Sequence, residues 1–167
     1  MRRQVIVFKV GDGEFAVDIM AIREVKLMQE ITPVPETPEY VEGVLNLRGS
    51  LVPVLDLRKR MRAGRRAVTD QTRIIIARPD DKLVGLIVDH ASDFIRVNDE
   101  EVDRAPEMLS EIGATYVTGV IRRDHRVIAL IDLKKALGEA VFDELDGVIE
   151  ALAQTAAGVI PMQAAQR

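Results

Sequence analysis

The sequence predicts a mainly β fold: two similar small five-stranded β-barrels packed together, with short helices and a C-terminal helix. Three observations carry this. A 22-residue segment occurs twice at a constant offset of 76, apolar runs rich in branched residues end in tight-turn signals, and 47% of the 167 residues are hydrophobic. That apolar content sustains a folded chain. With no Trp, two Tyr and four Phe, the core is built from Val, Ile and Leu. No cysteine is present, which excludes a disulfide framework, a thiol nucleophile and a thiolate zinc site.

Taken in order, Val5, Ile6, Val7, Phe8 and Val10 form a strand closed by Gly11-Asp12-Gly13, and a second strand runs on to Ile19. A bridging strand is expected over Arg23 to Ile31, and a short helix from Glu39 to Glu42 after Pro38. Tyr40 to Met61 is the first repeat copy, YVEGVLNLRGSLVPVLDLRKRM; an apolar run from Gly43 meets the turn Arg48-Gly49-Ser50 and a second run to Asp56. Arg73 to Asp89 again reads strand, turn (Pro79-Asp80-Asp81), strand. Tyr116 to Leu137, YVTGVIRRDHRVIALIDLKKAL, is the second copy, with seven of 22 positions identical and several others, such as Leu51 and Val127 or Leu55 and Ile131, exchanging one aliphatic for another. A helix from Leu133 to Leu137 is stopped by Gly138, and a longer one starts near Asp143 with Phe142, Leu145, Val148, Ile149 and Leu152 on one face. That face is expected to pack on the second barrel.

Two hairpins and a bridging strand per half make about five short strands, the number at which a small sheet closes on itself and hides its edges. Residues 1–153 therefore read as one domain of two barrels, about 1–70 and 71–140, with the helix over about 143–153. Units of this size bury little surface alone, so they should share apolar surface. Residues 154–167, with Gly158 and Pro161, read as a loose tail. No stretch of 18 consecutive apolar residues occurs, so no membrane-spanning segment or export signal is expected.

Catalytic patterns are lacking. Gly11-Asp12-Gly13-Glu14-Phe15-Ala16 fits the letters of a dinucleotide fingerprint, yet a strand follows where the fingerprint needs a helix N-terminus. His90 and His125 have no ligand partner at helical spacing, no carboxylates pair in an acid–base pattern, and Ser50, Ser92 and Ser110 lack a nucleophile elbow. No enzyme, cofactor or metal is expected. Net charge is −4, but Arg58, Lys59, Arg60, Arg62, Arg65 and Arg66 are six positive charges in nine residues, leaving −10 (−4 minus 6) elsewhere. Segment 58–66 reads as a solvated loop; the competing reading is a phosphate-binding patch on a nucleic-acid-binding barrel, weakened by the missing aromatic stack.

The copies differ at their tips, Asn46-Leu47-Arg48-Gly49 against Arg122-Arg123-Asp124-His125. One scaffold thus offers two surfaces, and Arg48 on a tight turn is suited to a carboxylate or carbonyl of another chain.

The segment YVEGVLNLRGSLVPVLDL (Tyr40 to Leu57) is similar to the signature hairpin of the CheW family, the bacterial chemotaxis coupling proteins. Phe15 to Ile19, Ile22 to Val25, Pro33 to Pro38, Val84 to Asp89 with Ser92-Asp93, Arg104 to Glu107 and Tyr116 to Gly119 also resemble family landmarks, in order, from about Val5 to Leu137. The resemblance implies a non-enzymatic cytoplasmic adaptor recruited to membrane-associated receptor arrays. Its partners would be the regulatory domain of the histidine kinase CheA and the cytoplasmic tip of chemoreceptors, the first barrel serving the kinase and the inter-barrel groove the receptor. No nucleic acid or membrane insertion is implied, and a monomer is expected in isolation. Carried over by motif position, the partner-binding residues are Ile22, Glu24, Gly43, Asn46, Arg48 and Gly49. Arg48 and Glu24 would anchor polar contacts, Ile22 would pack, and Gly43 would permit close approach. Met61 stands where the family more often has Phe, and the basic loop is a departure. A CheW-like unit also ends CheA and begins CheV. Beginning at Met1 without receiver, phosphotransfer or ATPase segments, the chain reads as the stand-alone adaptor, either for chemotaxis or as a paralogue serving another receptor array.

Overall fold

Alternation of buried side chains along β1 (Arg2–Val10) shows how the core is partitioned. Val5 and Val7 enter one apolar cluster, while Ile6, Phe8 and Val10 enter another on the opposite face of the strand. The computed structural model describes residues 2–63, 67–111 and 114–154. After β1 come β2 (Gly13–Asp18), β3 (Ile22–Leu27), β4 (Val41–Leu47), β5 (Ser50–Asp56) and helix α1 (Leu57–Arg60). Then follow β6 (Arg73–Ala77), β7 (Val84–Val88), β8 (His90–Asn98), β9 (Val102–Arg104), α2 (Glu107–Glu111), β10 (Val117–Arg123), β11 (Arg126–Ile131), α3 (Leu133–Leu137) and α4 (Glu139–Gln154).

These strands form a six-stranded sheet, ordered β8-β1-β2-β11-β10-β9, and a five-stranded sheet, ordered β3-β6-β7-β5-β4. Each contains one N-terminal-type hairpin (β1–β2 or β6–β7) joined in parallel to one repeat hairpin (β11 to β2, β5 to β7). Thr32 bridges Val44 on the outer side of β4, as β9 pairs β10 in the other sheet. The mainly β, two-body architecture thus matches the expectation, with two differences.

First, neither sheet closes by a ladder. The chain leaving β3 crosses to β4 at Thr32, and β8 leads through a short turn into β9, so the sheet ends are joined by chain crossings instead of strand pairing. Second, the sheets do not divide near residue 70. The strand after each first hairpin changes sheets: β3 pairs β6 and β8 pairs β1. The five-stranded sheet therefore occupies 22–88, and the six-stranded one combines 2–18 with 90–131.

Each sheet curls around its own cluster, Val5, Val7, Ala16, Val97, Ile121, Ile128 and Leu130 in one and Leu45, Leu47, Val52, Val54, Ile74, Ile76 and Ile87 in the other. A third cluster joins them, where Ile6, Phe8 and Val17 meet Leu55, Ile75, Leu86 and the face of α3–α4 (Leu133, Leu137, Val141, Phe142, Leu145). A fully buried side chain of this size is worth about 1.5–3 kcal/mol. Strands buried on both faces read as unbroken apolar runs, which is why β1, β6 and β7 look alike in sequence.

The two repeat copies share their capping and backbone hydrogen bonds. Asp56 and Asp132 each cap the following helix with a carboxylate, and their amides donate to the carbonyls of Tyr40 (2.7 Å) and Tyr116 (2.9 Å). Helix α3 ends at Gly138 as expected. No helix forms over 39–42, because Tyr40 sits in a turn and branched Val41 already starts β4. The bridging strand stops at Leu27 and returns only as the Thr32 bridge. Helix α4 begins at Glu139, four residues early, since Val141 and Phe142 are already buried. It lies against β5 of the five-stranded sheet and shares a cluster with Ile131, Leu133 and Leu137 of the second half, held by Tyr40 donating to Glu144 (2.8 Å) and by the Lys82–Asp146 pair. The Leu152 side chain and the tail from 155 fall outside the described residues, as do Arg65 and Arg66.

Candidate functional site

The β4–β5 hairpin turns through two residues with left-handed backbone, Arg48 (φ 49°) and Gly49 (φ 90°), between the paired Leu47 and Ser50. This conformation matches the right-handed twist of the strands and favours glycine at the second position. The Asn46 side-chain oxygen accepts from the Gly49 amide at 2.9 Å, locking the turn. At the equivalent second tip only Asp124 has positive φ, 57°, and His125 replaces the glycine.

From this turn the Arg48 guanidinium reaches β3 and donates to Glu24 at 2.6 Å. Strands β3 and β4 are the first and last of their sheet, so the ion pair spans the mouth left by the open ladder. Lys26, two residues along the same strand face, stands 3.6 Å from Glu24. The hydrogen bond from Arg48 holds the Glu24 carboxyl below the usual carboxylate range, burial opposing and Lys26 adding to the effect. Arg48 keeps 62% of its side chain exposed against 27% for Glu24. The pair therefore presents an oriented cation with donors left for a carboxylate or carbonyl from outside.

The structure brings Glu24, Asn46, Arg48 and Gly49 together. Ile22 starts β3 opposite Ala77, a register shift before Glu24, and packs half-buried against the inter-sheet core. Gly43 (φ 146°) lies at a register shift in β4, where an added Cβ would stand 2.0 Å from the Thr32 carbonyl oxygen. Sequence reasoning missed Lys26, which the two-residue period of a strand could have found, and Thr32, which carries no local signal.

The basic segment is not a solvated loop at its start. Arg58 is 4% exposed; its Nε and Nη2 meet the two oxygens of Asp56 at 2.9 Å each, and its Nη1 meets Asp89 at 3.2 Å. Asp89 also accepts from the Gly11 amide at 2.7 Å, so this trio ties the crossing from β7 to β8 to the β1–β2 turn. Lys59 pairs with Glu42 at 2.8 Å, and Arg60 donates to the Leu137 carbonyl and lies over the Tyr40 ring. Three of the six cations are thus engaged inside the fold, which removes them from a phosphate patch.

Gly11 and Gly13 flank a plain hairpin turn joining β1 to β2. Among the described residues no group of three or more His, Asp and Glu side chains is placed to hold a metal, and no helix is long and apolar enough to cross a membrane.

The family model for the CheW-like domain matches residues 4–141. The chain is 38% identical over 144 residues to a probable chemotaxis protein CheW of Rhizobium etli, covering 86% of this chain and 90% of the relative. It is 37% identical over 134 residues to the chemotaxis protein CheW of Bacillus subtilis, covering 80% and 86%. The crystal structure of the scaffolding protein TtCheW from Thermoanaerobacter tengcongensis matches with a TM-score of 0.76 at 33% identity, covering 84% of this chain and 96% of that one. Two curled sheets, a duplicated hairpin and these matches along nearly the whole described chain make it a member of the CheW-like domain family.

Proposed function

We propose that this chain is a non-catalytic chemotaxis adaptor that couples chemoreceptors to the histidine kinase CheA at cytoplasmic receptor arrays. Family membership supports the adaptor role. The observation that carries the site is the exposed Arg48 guanidinium, held on a locked two-residue turn by Glu24 at 2.6 Å. A group oriented before binding loses little freedom when a partner arrives. Asn46 and Gly49 fix the turn, Glu24 aims the guanidinium, and the half-buried Ile22 lies at the seam between the sheets, where a partner's apolar side chain would pack.

The test is calorimetric titration of the protein into the isolated regulatory domain of CheA and into a receptor cytoplasmic fragment from the same organism. Saturable 1:1 binding in about the micromolar range is expected for a modest transient interface. Arg48→Ala, with an unchanged melting curve, should weaken at least one of the two about tenfold, which corresponds to about 1.4 kcal/mol. Unchanged affinity for both would overturn the assignment of Arg48. No binding of either partner by the folded wild type would overturn the adaptor reading.

A further inference from the structure

We infer that Gly43 is a positioning residue for the Glu24–Arg48 pair and touches no partner: it lets the chain cross β4 at Thr32 and so sets the gap that the pair spans. This rests on the reading of Arg48 as the contact residue. The close approach that Gly43 permits is already filled by the protein itself. An added Cβ would lie 2.0 Å from the Thr32 oxygen, 2.6 Å from its carbonyl carbon and 2.9 Å from Pro33 Cα, all backbone atoms that cannot swing aside. The neighbouring Val44 exchanges two hydrogen bonds of 2.9 Å with Thr32, pinning the crossing to β4.

The second repeat separates fold from tip chemistry. Gly119, the equivalent residue 76 positions on, sits at the same register shift in β10 and faces β9, where an added Cβ would meet Val102 Cγ1 at 2.9 Å and the Asp103 oxygen at 3.1 Å. That copy has Asp124 where the first has Arg48, yet the glycine is retained. The glycine therefore accompanies the crossing, not the arginine. An ion pair as exposed as Glu24–Arg48 is too weak to hold two strands at a fixed spacing. Because the crossing chain runs from β3 to β4, the spacing is set by the Thr32–Val44 staple, and the staple requires a residue without a side chain at 43.

Gly43→Ala, Gly119→Ala and Thr32→Pro test this, each scored by circular dichroism melting, by the NMR titration midpoint of the Glu24 carboxyl, and by the two partner titrations. In Gly43→Ala the Glu24 midpoint should rise toward the ordinary carboxylate value, and the affinity that depends on Arg48 should fall about tenfold. Adding Arg48→Ala to that variant should cost nothing further. Gly119→Ala inserts the same methyl at the other sheet and should leave the Glu24 midpoint and that affinity unchanged. Thr32 is exposed, so Thr32→Pro removes the N–H donated to Val44, fixes the backbone at 32 and restricts Ile31 while keeping the core side chains; it should reproduce the Gly43→Ala readouts even where the alanine variant fails to fold. A folded Gly43→Ala whose Glu24 titrates as in wild type overturns the inference, and weakened binding in that case would make Gly43 a contact residue. A Thr32→Pro variant with wild-type Glu24 titration overturns it as well. The Glu24 titration needs no partner, so a wild type that binds neither protein would overturn the adaptor reading and leave the positioning of the pair decided on its own.

Discussion

Replacing Arg58 by Met removes a guanidinium that is 4% exposed and leaves the carboxylate of Asp56, 3% exposed, facing that of Asp89 across the vacated space. Methionine fills much of the same volume, so the change isolates charge from packing. Breaking a buried ion pair by deleting one partner costs about 3–5 kcal/mol, because the remaining charge stays desolvated without a counter-ion. Against a total stability of about 5–15 kcal/mol this is a large fraction. For a domain of this length it lowers the melting temperature by about 6–20 °C, at about 2–4 °C per kcal/mol. Urea unfolding followed by circular dichroism at neutral pH reads the loss directly. The matched control is Arg122→Met, whose partner Asp103 lies at 2.6 Å on the surface with side chains 70% and 45% exposed; it should cost less than about 1 kcal/mol. A loss within about 1 kcal/mol of wild type at neutral pH would refute the reasoning, for the trio would then be no stronger than the surface pair.

Two further outcomes follow from single residues. Gly147 lies inside α4 with no atom within 4 Å of an added Cβ, so Gly147→Ala should stabilise by about 0.5–1 kcal/mol and raise the melting temperature by about 1–4 °C. Glu14 is held below the usual carboxylate range chiefly by its hydrogen bond from Arg126, at 2.8 Å, with burial opposing and Lys9 adding a little. Its folded value is depressed, so the pair's stabilisation is fully present above the unfolded value near pH 4.3 and is lost as pH falls through the lower folded value. The stability difference between wild type and Arg126→Ala should therefore shrink steadily below about pH 4. A difference constant from pH 7 to pH 3 would contradict it.

The duplicated hairpin was legible because both copies repeat one alternation, one glycine and one capping aspartate over 22 residues. Arg48 at the tip was legible for a related reason: it stands where the copies diverge while their apolar positions persist. Pairing across the halves was not legible. The composition of β3 specifies a strand but carries nothing that selects β6 over β1 as its neighbour, and that choice rests on packing between residues far apart in sequence. Arg58 was hidden by its neighbours, since a cation within a basic run reads as solvated until Asp56 and Asp89 are seen to converge on it. The false helix at 39–42 came from weighting Pro38 as a helix start above the branched Val41 that opens β4.

The exchange of third strands between the sheets governs the order in which the molecule can be made. Phe15 on β2 pairs with Ala129 on β11, 114 positions later, so the first hairpin leaves the ribosome with neither lateral neighbour available. At about 5–20 residues per second its apolar run waits on the order of ten seconds for β8 and β11 to be synthesised. The five-stranded sheet, complete by Val88, has all its strands first. The nascent chain must therefore carry Val5, Val7 and Ala16 uncovered after its middle third has folded, until Val97, Ile121, Ile128 and Leu130 are made, a stretch of synthesis in which a holding chaperone would have its largest effect on yield.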